Sequence, residues 1–247
     1  VKILKTFNAI SLALVFILLF STAAFAQTDK GEIELTPSKD SYVKLDSVKL
    51  IILDSNNYQV KLTRNKKAGS EPLHFIVQID PEKKTYKTVK SEPLPIKYPD
   101  FKKSDSGSSS LSTTNTDYSV GIYITTTDIP GAPCCQTGLW LNWTVNKSNI
   151  INANYHKDQY DWQPTLFNTN WYLSYHNLNY FNWGSNRASV SSSAKHYNYD
   201  WRDPNLATYA YHDITINGYP SGQYGYTTNW YHSGEDKNLL TARVDEY

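Results

Sequence analysis

Apolar and polar positions alternate with a period of two through short windows of this chain. Ile33-Glu34-Leu35, Ser47 to Leu53, Tyr58 to Leu62 and Leu73 to Ile79 show this pattern in full or in part and are rich in branched and aromatic residues, which predicts strands. In the last of these Leu73, Phe75, Val77 and Ile79 share one face, so His74 is expected on the other, toward the surface. Turn residues punctuate the windows at Pro37 to Asp40, Asp54 to Asn57, Asn65 to Gly69 and Asp80 to Lys83. Alternation resumes at Tyr118, Val120, Ile122 and Ile124, and again at Leu139, Leu141, Trp143 and Val145, with Pro130-Gly131-Ala132-Pro133-Cys134-Cys135 between the two runs. Further on, Gly184, Pro204, Gly218, Pro220, Gly222 and Gly225 interrupt nearly every window long enough for a helix. The expected fold class is all-β.

A second pattern lies on top of the first. Five times the chain places a histidine beside a tyrosine: Tyr155-His156, Tyr175-His176, His196-Tyr197, Tyr211-His212 and Tyr231-His232, with histidine spacings of 20, 20, 16 and 20. Tyr155 to Trp162 is echoed by Tyr175 to Trp183 and by His196 to Trp201, and Thr169-Asn170-Trp171-Tyr172 by Thr228-Asn229-Trp230-Tyr231. A unit of about 20 residues suits a hairpin of two strands and a turn. The repeat is expected to be an antiparallel meander whose equivalent strands bring the histidines to neighbouring positions.

Composition divides the chain. From Gln27 to Asp117 there are 15 basic and 13 acidic residues, four tyrosines and no tryptophan; beyond Asp117 there are seven basic and ten acidic residues, 16 tyrosines and all seven tryptophans. Residues 104–117 are rich in serine and threonine and are expected to form a flexible linker or a long loop. Residues 1–26 have the pattern of a secretory signal peptide: Lys2 and Lys5, an apolar run from Ile10 to Phe20, then Ala24-Phe25-Ala26. Without that segment 22 basic residues face 23 acidic ones, so no basic field draws the chain to nucleic acid or anionic lipid. The stretch from Leu35 to Val48 resembles the opening of bacterial extracellular immunoglobulin-like modules, with Tyr42 a few residues before Asp46 and a hydrophobic strand, although Leu45 stands where such modules usually carry glycine. The resemblance implies an immunoglobulin-like sandwich over 27–103, followed by an aromatic-rich β domain over 118–247.

Candidate chemistry follows from the aromatic surplus. Rings that are not consumed by a core present flat apolar faces, and neighbouring amides and carboxylates hydrogen-bond hydroxyls, which together suit a sugar. The candidate ligand-binding residues are Trp162, Trp171, Trp183, Trp201 and Trp230, with Asp161, Asn182, Asp200 and Asn229 beside them. The expected function is non-catalytic binding of an extracellular or cell-wall polysaccharide by a secreted protein without a cofactor, with no nucleic-acid partner and no stable membrane insertion. The alternatives are a structural subunit of a surface or matrix assembly that self-associates, a secreted metal-dependent or glycoside hydrolase, and a secreted toxin-like effector. For the hydrolase, His156, His176, His196, His212 and His232 are enough imidazoles for a metal, but no compact ligand motif holds them. Asp161 with Asp200 or Asp213 would be the carboxylate pair. Cys134 and Cys135 leave three expectations open: a strained bond to each other, free thiols, or bonds to another chain.

Overall fold

The computed structural model describes residues 31–54, 56–94, 115–128, 131–162, 170–199, 206–235 and 237–247. The expected signal peptide, residues 104–114 of the expected linker, Asp200 and Trp201 lie outside the described residues. The strands are β1 (Glu32–Glu34), β2 (Thr36–Pro37), β3 (Ser47–Asp54), β4 (Asn57–Lys67), β5 (Leu73–Asp80), β6 (Thr85–Lys90), β7 (Thr116–Asp128), β8 (Pro133–Asn146), β9 (Asn149–Asp161), β10 (Trp171–Gly184), β11 (Arg187–Tyr199), β12 (Ala207–Gly218), β13 (Gln223–Ser233) and β14 (Leu240–Glu246), with a 3-10 turn at Lys237–Leu239. They form two sheets in the orders β1-β3-β4-β13-β12-β11-β10 and β2-β6-β5-β14-β7-β8-β9. Every pairing is antiparallel except the short β2–β6 contact.

The two sheets stack as a sandwich whose interior is supplied by alternate residues of both. Val48, Leu50, Val60, Leu62, Ile214 and Ile216 face Phe75, Val77, Ile122, Ile124, Leu139 and Leu141, all buried, as the period-two pattern requires. Strands from before and after the 104–117 segment pair directly in both sheets: β4 with β13, and β5 with β14, which in turn pairs with β7. The composition change therefore runs across shared sheets. One turn expectation is displaced. Asn65-Lys66-Lys67 belongs to β4, because its backbone pairs with Gly225, Tyr224 and Gln223 of β13, and only Ala68-Gly69 turns.

A buried carboxylate helps to fix this junction. Glu246, 1 % exposed, receives hydrogen bonds from Arg64 Nη1 at 2.7 Å, Lys66 Nζ at 3.2 Å and Tyr226 Oη at 2.6 Å. The last strand is thereby tied to β4 and β13 across the interior. On the outer face of the second sheet, His74 does point away from Phe75 and Val77, but it is largely covered, with Nδ1 2.8 Å from Asp245 Oδ1. Asp245 also accepts from Arg243 Nε and Nη2, so the imidazole caps a charged pair instead of standing in solvent.

Large rings on that outer face lie over glycines of the facing strand. Tyr123 pairs with Gly138 and Trp140 with Gly121, and Trp140 Nε1 donates to Tyr123 Oη at 2.6 Å. A Cβ on Gly138 would meet the Tyr123 ring at 2.2 Å. We expect Gly138→Ala to destabilise the fold by about 1–3 kcal/mol through this overpacking, measured as a lower urea midpoint with an unchanged slope.

Candidate functional site

The histidine and tyrosine dipeptides take their meaning from the pleat. Strands β10 to β13 are consecutive in the first sheet, and in each of them the histidine faces the interior while the neighbouring tyrosine faces out. His176, His196, His212 and His232 thus lie on one inner surface, and Tyr175, Tyr197, Tyr211 and Tyr231 on the opposite one. The first dipeptide departs from this because β9 belongs to the other sheet: His156 sits opposite Trp140 on the outer face, and Tyr155 packs against Phe181 with ring centres 4.9 Å apart.

Inside, three of the histidines are joined to the second sheet by two threonines. His232 Nε2 lies 3.0 Å from Thr126 Oγ1, which lies 2.8 Å from His212 Nε2. His212 Nδ1 lies 3.0 Å from Thr137 Oγ1, which lies 2.9 Å from His196 Nε2, and His196 Nδ1 lies 2.6 Å from Asp161 Oδ1. The result is one hydrogen-bonded file, Asp161-His196-Thr137-His212-Thr126-His232, crossing between the sheets. His196, His212, Thr126 and Thr137 are fully buried, while the Asp161 side chain keeps 19 % of its exposure. His176 is beside the file, with Nε2 3.3 Å from Ser192 Oγ and Nδ1 buried without a hydrogen-bond partner among the described residues. Burial pushes the imidazole pKa values of His176 and His232 down to about 4 and that of His212 well below the usual value, so all three are neutral at neutral pH. Among the described residues no three His, Cys, Asp or Glu side chains come together as a metal-ligand set. The threonine hydroxyls occupy ring nitrogens that a metal would need.

The two cysteines border the file. The register shift between β7 and β8 at Thr126/Thr127, which leaves Cys134 as the extra residue of β8, lets both enter the interior beside Trp171 and Ala210. They are free thiols. Burial raises the pKa of Cys134 to about 12 and that of Cys135 well above the usual thiol value, which keeps both protonated and unreactive.

Outside, the first sheet carries a field of tyrosines across four strands: Tyr172 and Tyr175 on β10, Tyr197 and Tyr199 on β11, Tyr209 and Tyr211 on β12, and Tyr231 on β13. Tyr211 and Tyr231 stack with ring centres 4.1 Å apart and planes 4° apart, and Tyr172 stacks on Tyr197 at 5.5 Å. Lys195 Nζ lies 4.2 Å from the centre of the Tyr209 ring and 5.2 Å from that of Tyr211. Toward the other end of the same face the strands continue in Ser189, Ser191, Ser193, Thr215, Asn217 and Thr227, a hydroxyl- and amide-rich strip.

The tryptophans singled out by the sequence divide. Trp171 and Trp230 are buried, so neither offers an open ring face; Trp183 is 45 % exposed at the end of β10, beside exposed Asn182, and Trp162 is half-buried against Tyr160. Asn229 is half-buried on the outer face opposite Asp213, with its Oδ1 lacking a hydrogen-bond partner among the described residues. Asp161 and Asp213 lie on opposite faces of the sandwich layers, so they do not form a carboxylate pair across one site. The residues that sequence reasoning missed are Thr126, Thr137 and Lys195. Both threonines were within reach of the period-two pattern: Thr126 continues Ile122 and Ile124, and Thr137 precedes Leu139 and Leu141 on the inward face.

A cleft of about 400 Å³ opens between the sheets at the His232 end of the file. Its walls include Tyr58, Gln78, Trp230, His232, Lys237 and Thr241. Lys237 Nζ is held by Asn56 O at 2.9 Å and Asn57 Oδ1 at 2.6 Å.

Two measurements follow from the file. Thr137→Val removes the hydroxyl shared by His196 and His212, and we expect a loss of about 2–5 kcal/mol from two stranded ring nitrogens, with Thr137→Ser close to wild type in chemical denaturation. The pH dependence has a definite sign. The buried imidazoles have folded pKa values below the ordinary 6.5, so the unfolded chain binds more protons between pH 6.5 and about 4. Stability is expected to be full above pH 6.5 and to fall as pH drops through that window, seen as a declining Tm; a flat Tm from pH 7 to 4 would contradict the buried neutral state.

No protein-family model, curated protein or solved structure matches this chain.

Proposed function

We propose that the tyrosine-bearing outer face of the first sheet binds an extracellular polysaccharide, and that the protein is secreted and acts without bond chemistry. The observation that carries this reading is the seven-tyrosine field on four adjacent strands, continuous with a strip of serine, threonine and asparagine. Tyr172, Tyr175 and Tyr199 are 38 %, 39 % and 50 % exposed, so their rings remain open to a ligand after the stacked pairs have been formed. An aromatic face takes the apolar C–H face of a sugar, and hydroxyl and amide groups beside it take the sugar hydroxyls. Asn182, paired with Ser189 at the end of β10, extends the polar strip on the same face, whereas Trp183 lies on the other face of the pleat. The near balance of charge agrees with a neutral polymer.

A self-associating structural subunit is the second reading, and one observation favours it. β10 is an edge strand of 14 residues, Trp171–Gly184, without a charged residue or proline, and long uncharged edges invite strand pairing. Its register shifts at Leu173/Tyr175 and Leu178/Tyr180 work against that by distorting the edge.

One experiment separates the two. In pull-downs on insoluble cell-wall polysaccharides, the double variant Tyr172→Ala/Tyr175→Ala is expected to bind about tenfold more weakly, from two ring contacts of about 0.5–1.5 kcal/mol each, with an unchanged thermal midpoint. Wild-type protein that binds no polysaccharide but sediments as concentration-dependent oligomers would replace the first reading by the second.

A further inference from the structure

The cleft borders the tyrosine field at Tyr231 but opens between the sheets, and the file that ends in it has a fixed direction. An ionised carboxylate only accepts hydrogen bonds. Asp161 therefore requires the proton of His196 on Nδ1, which leaves His196 Nε2 to accept from the Thr137 hydroxyl. Thr137 Oγ1 in turn accepts from His212 Nδ1–H, His212 Nε2 accepts from the Thr126 hydroxyl, and Thr126 Oγ1 accepts from His232 Nε2–H. With one hydrogen on each ring, every hydrogen on the file is used once. His232 is left with Nδ1 as its lone-pair atom.

We infer that the cleft is a second ligand site, for a neutral hydroxyl-bearing molecule of about one sugar residue, in which His232 is the hydrogen-bond acceptor and Asp161 holds it in that role through the file. The volume of about 400 Å³ is in the range of small-ligand pockets. Tyr58 contributes an open aromatic ring, Gln78 an amide, and Thr241 a hydroxyl, with the buried Trp230 behind them. The single formal charge on the described walls is Lys237, already engaged by two amide oxygens, which opposes a cation and offers an anion no second positive group. A neutral donor of hydroxyl hydrogens is what remains.

The file also gives the cleft a second state. A proton added at His232 Nδ1 releases the Nε2 proton to Thr126, the Thr126 hydroxyl proton passes to His212 Nε2, the His212 Nδ1 proton to Thr137, and the Thr137 hydroxyl proton to His196 Nε2. His196 then carries hydrogen on both ring nitrogens, with Nδ1 still on Asp161, and His232 becomes a donor toward the cleft. The other titratable groups around this path among the described residues are His176 on β10, Asp128 on β7, Cys134 and Cys135 on β8, Lys157 on β9, and Tyr58, Tyr231 and Lys237 at the cleft. No carboxylate other than Asp161 is hydrogen-bonded to the file among the described residues, which makes it the natural resting place for the charge.

Nitrogen-15 NMR of the uniformly labelled full chain, read at the imidazole nitrogens and at the backbone and side-chain amides, tests this at pH 7, with neutral methyl glycosides as the probes. The expected result is Nδ1–H at His196 and His212 and Nε2–H at His232, with glycoside-dependent shifts at His232 and Gln78. Asp161→Ala is expected to raise the Nδ1–H form of His232 from minor to major. Combining it with Thr137→Val should abolish that response, and combining it with Thr137→Ser should preserve it. If Thr137→Val does not fold, Thr126→Val cuts the same file one step nearer the cleft. The inference is overturned by a His232 that carries Nδ1–H in wild type, by a response to Asp161→Ala that survives the cut, or by glycosides that leave the cleft resonances unmoved. Shifts confined to the outer tyrosines would overturn it while supporting the polysaccharide face, and shifts confined to the cleft would do the reverse.

Discussion

Burying imidazoles between two β-sheets is costly unless their nitrogens find partners, and the pairing of His196, His212 and His232 organises one end of this sandwich. Four histidines face inward from adjacent strands, where water cannot compensate them. Two threonines of the opposite sheet supply hydroxyls that both donate and accept, so each bridges two rings without adding charge. Asp161 at the partly exposed end sets the direction of the donors. The sheets are consequently locked in register by polar contacts at this end and by aliphatic packing elsewhere. A hydrophobic interface tolerates sliding; a file with one acceptor for each donor does not.

The same dipeptide serves both surfaces of the first sheet. Because neighbouring residues in a strand point to opposite faces, each inward histidine of β10 to β13 is accompanied by an outward tyrosine. The interior file and the exterior tyrosine field are two consequences of one repeated pair. Their chemistry differs because their environments differ. Inside, desolvation keeps His176, His212 and His232 neutral and favours pairing; outside, Tyr211 on Tyr231 and Lys195 over Tyr209 satisfy the stacked members and leave other rings open.

Aromatic residues elsewhere in the chain are spent on structure. Trp143 donates to Tyr219 O at 3.0 Å and stacks on Tyr118, Trp140 donates to Tyr123, and Trp171 and Trp230 are buried. Indoles with an N–H to satisfy and a large area to bury are good core fillers in a protein with few leucines in its second half. Tyrosine tolerates the outer face better, since its hydroxyl stays in water while the ring packs sideways on its neighbour. This explains why the exposed ring field is made of tyrosine although tryptophan is the stronger stacking group.

The sequence by itself determined the strands, their inward and outward residues, and the meander that carries the histidines, because alternation and turn residues act over a few positions. Even the threonines of the file lay at inward positions that the Ile122, Ile124 and Leu139, Leu141 runs extend to. What only the tertiary structure decided is which strands become neighbours. Nothing local to β4 or β5 specifies β13 or β14 as a partner, so the composition boundary near residue 104 gave no sign that both sheets cross it. Nor does any local feature place β9 in the opposite sheet, where Asp161 meets His196 and His156 is removed from its four counterparts. Those pairings join residues tens to hundreds of positions apart. Their selection depends on the total area buried and on whether every interior polar group is paired, and neither quantity exists until the chain has closed on itself.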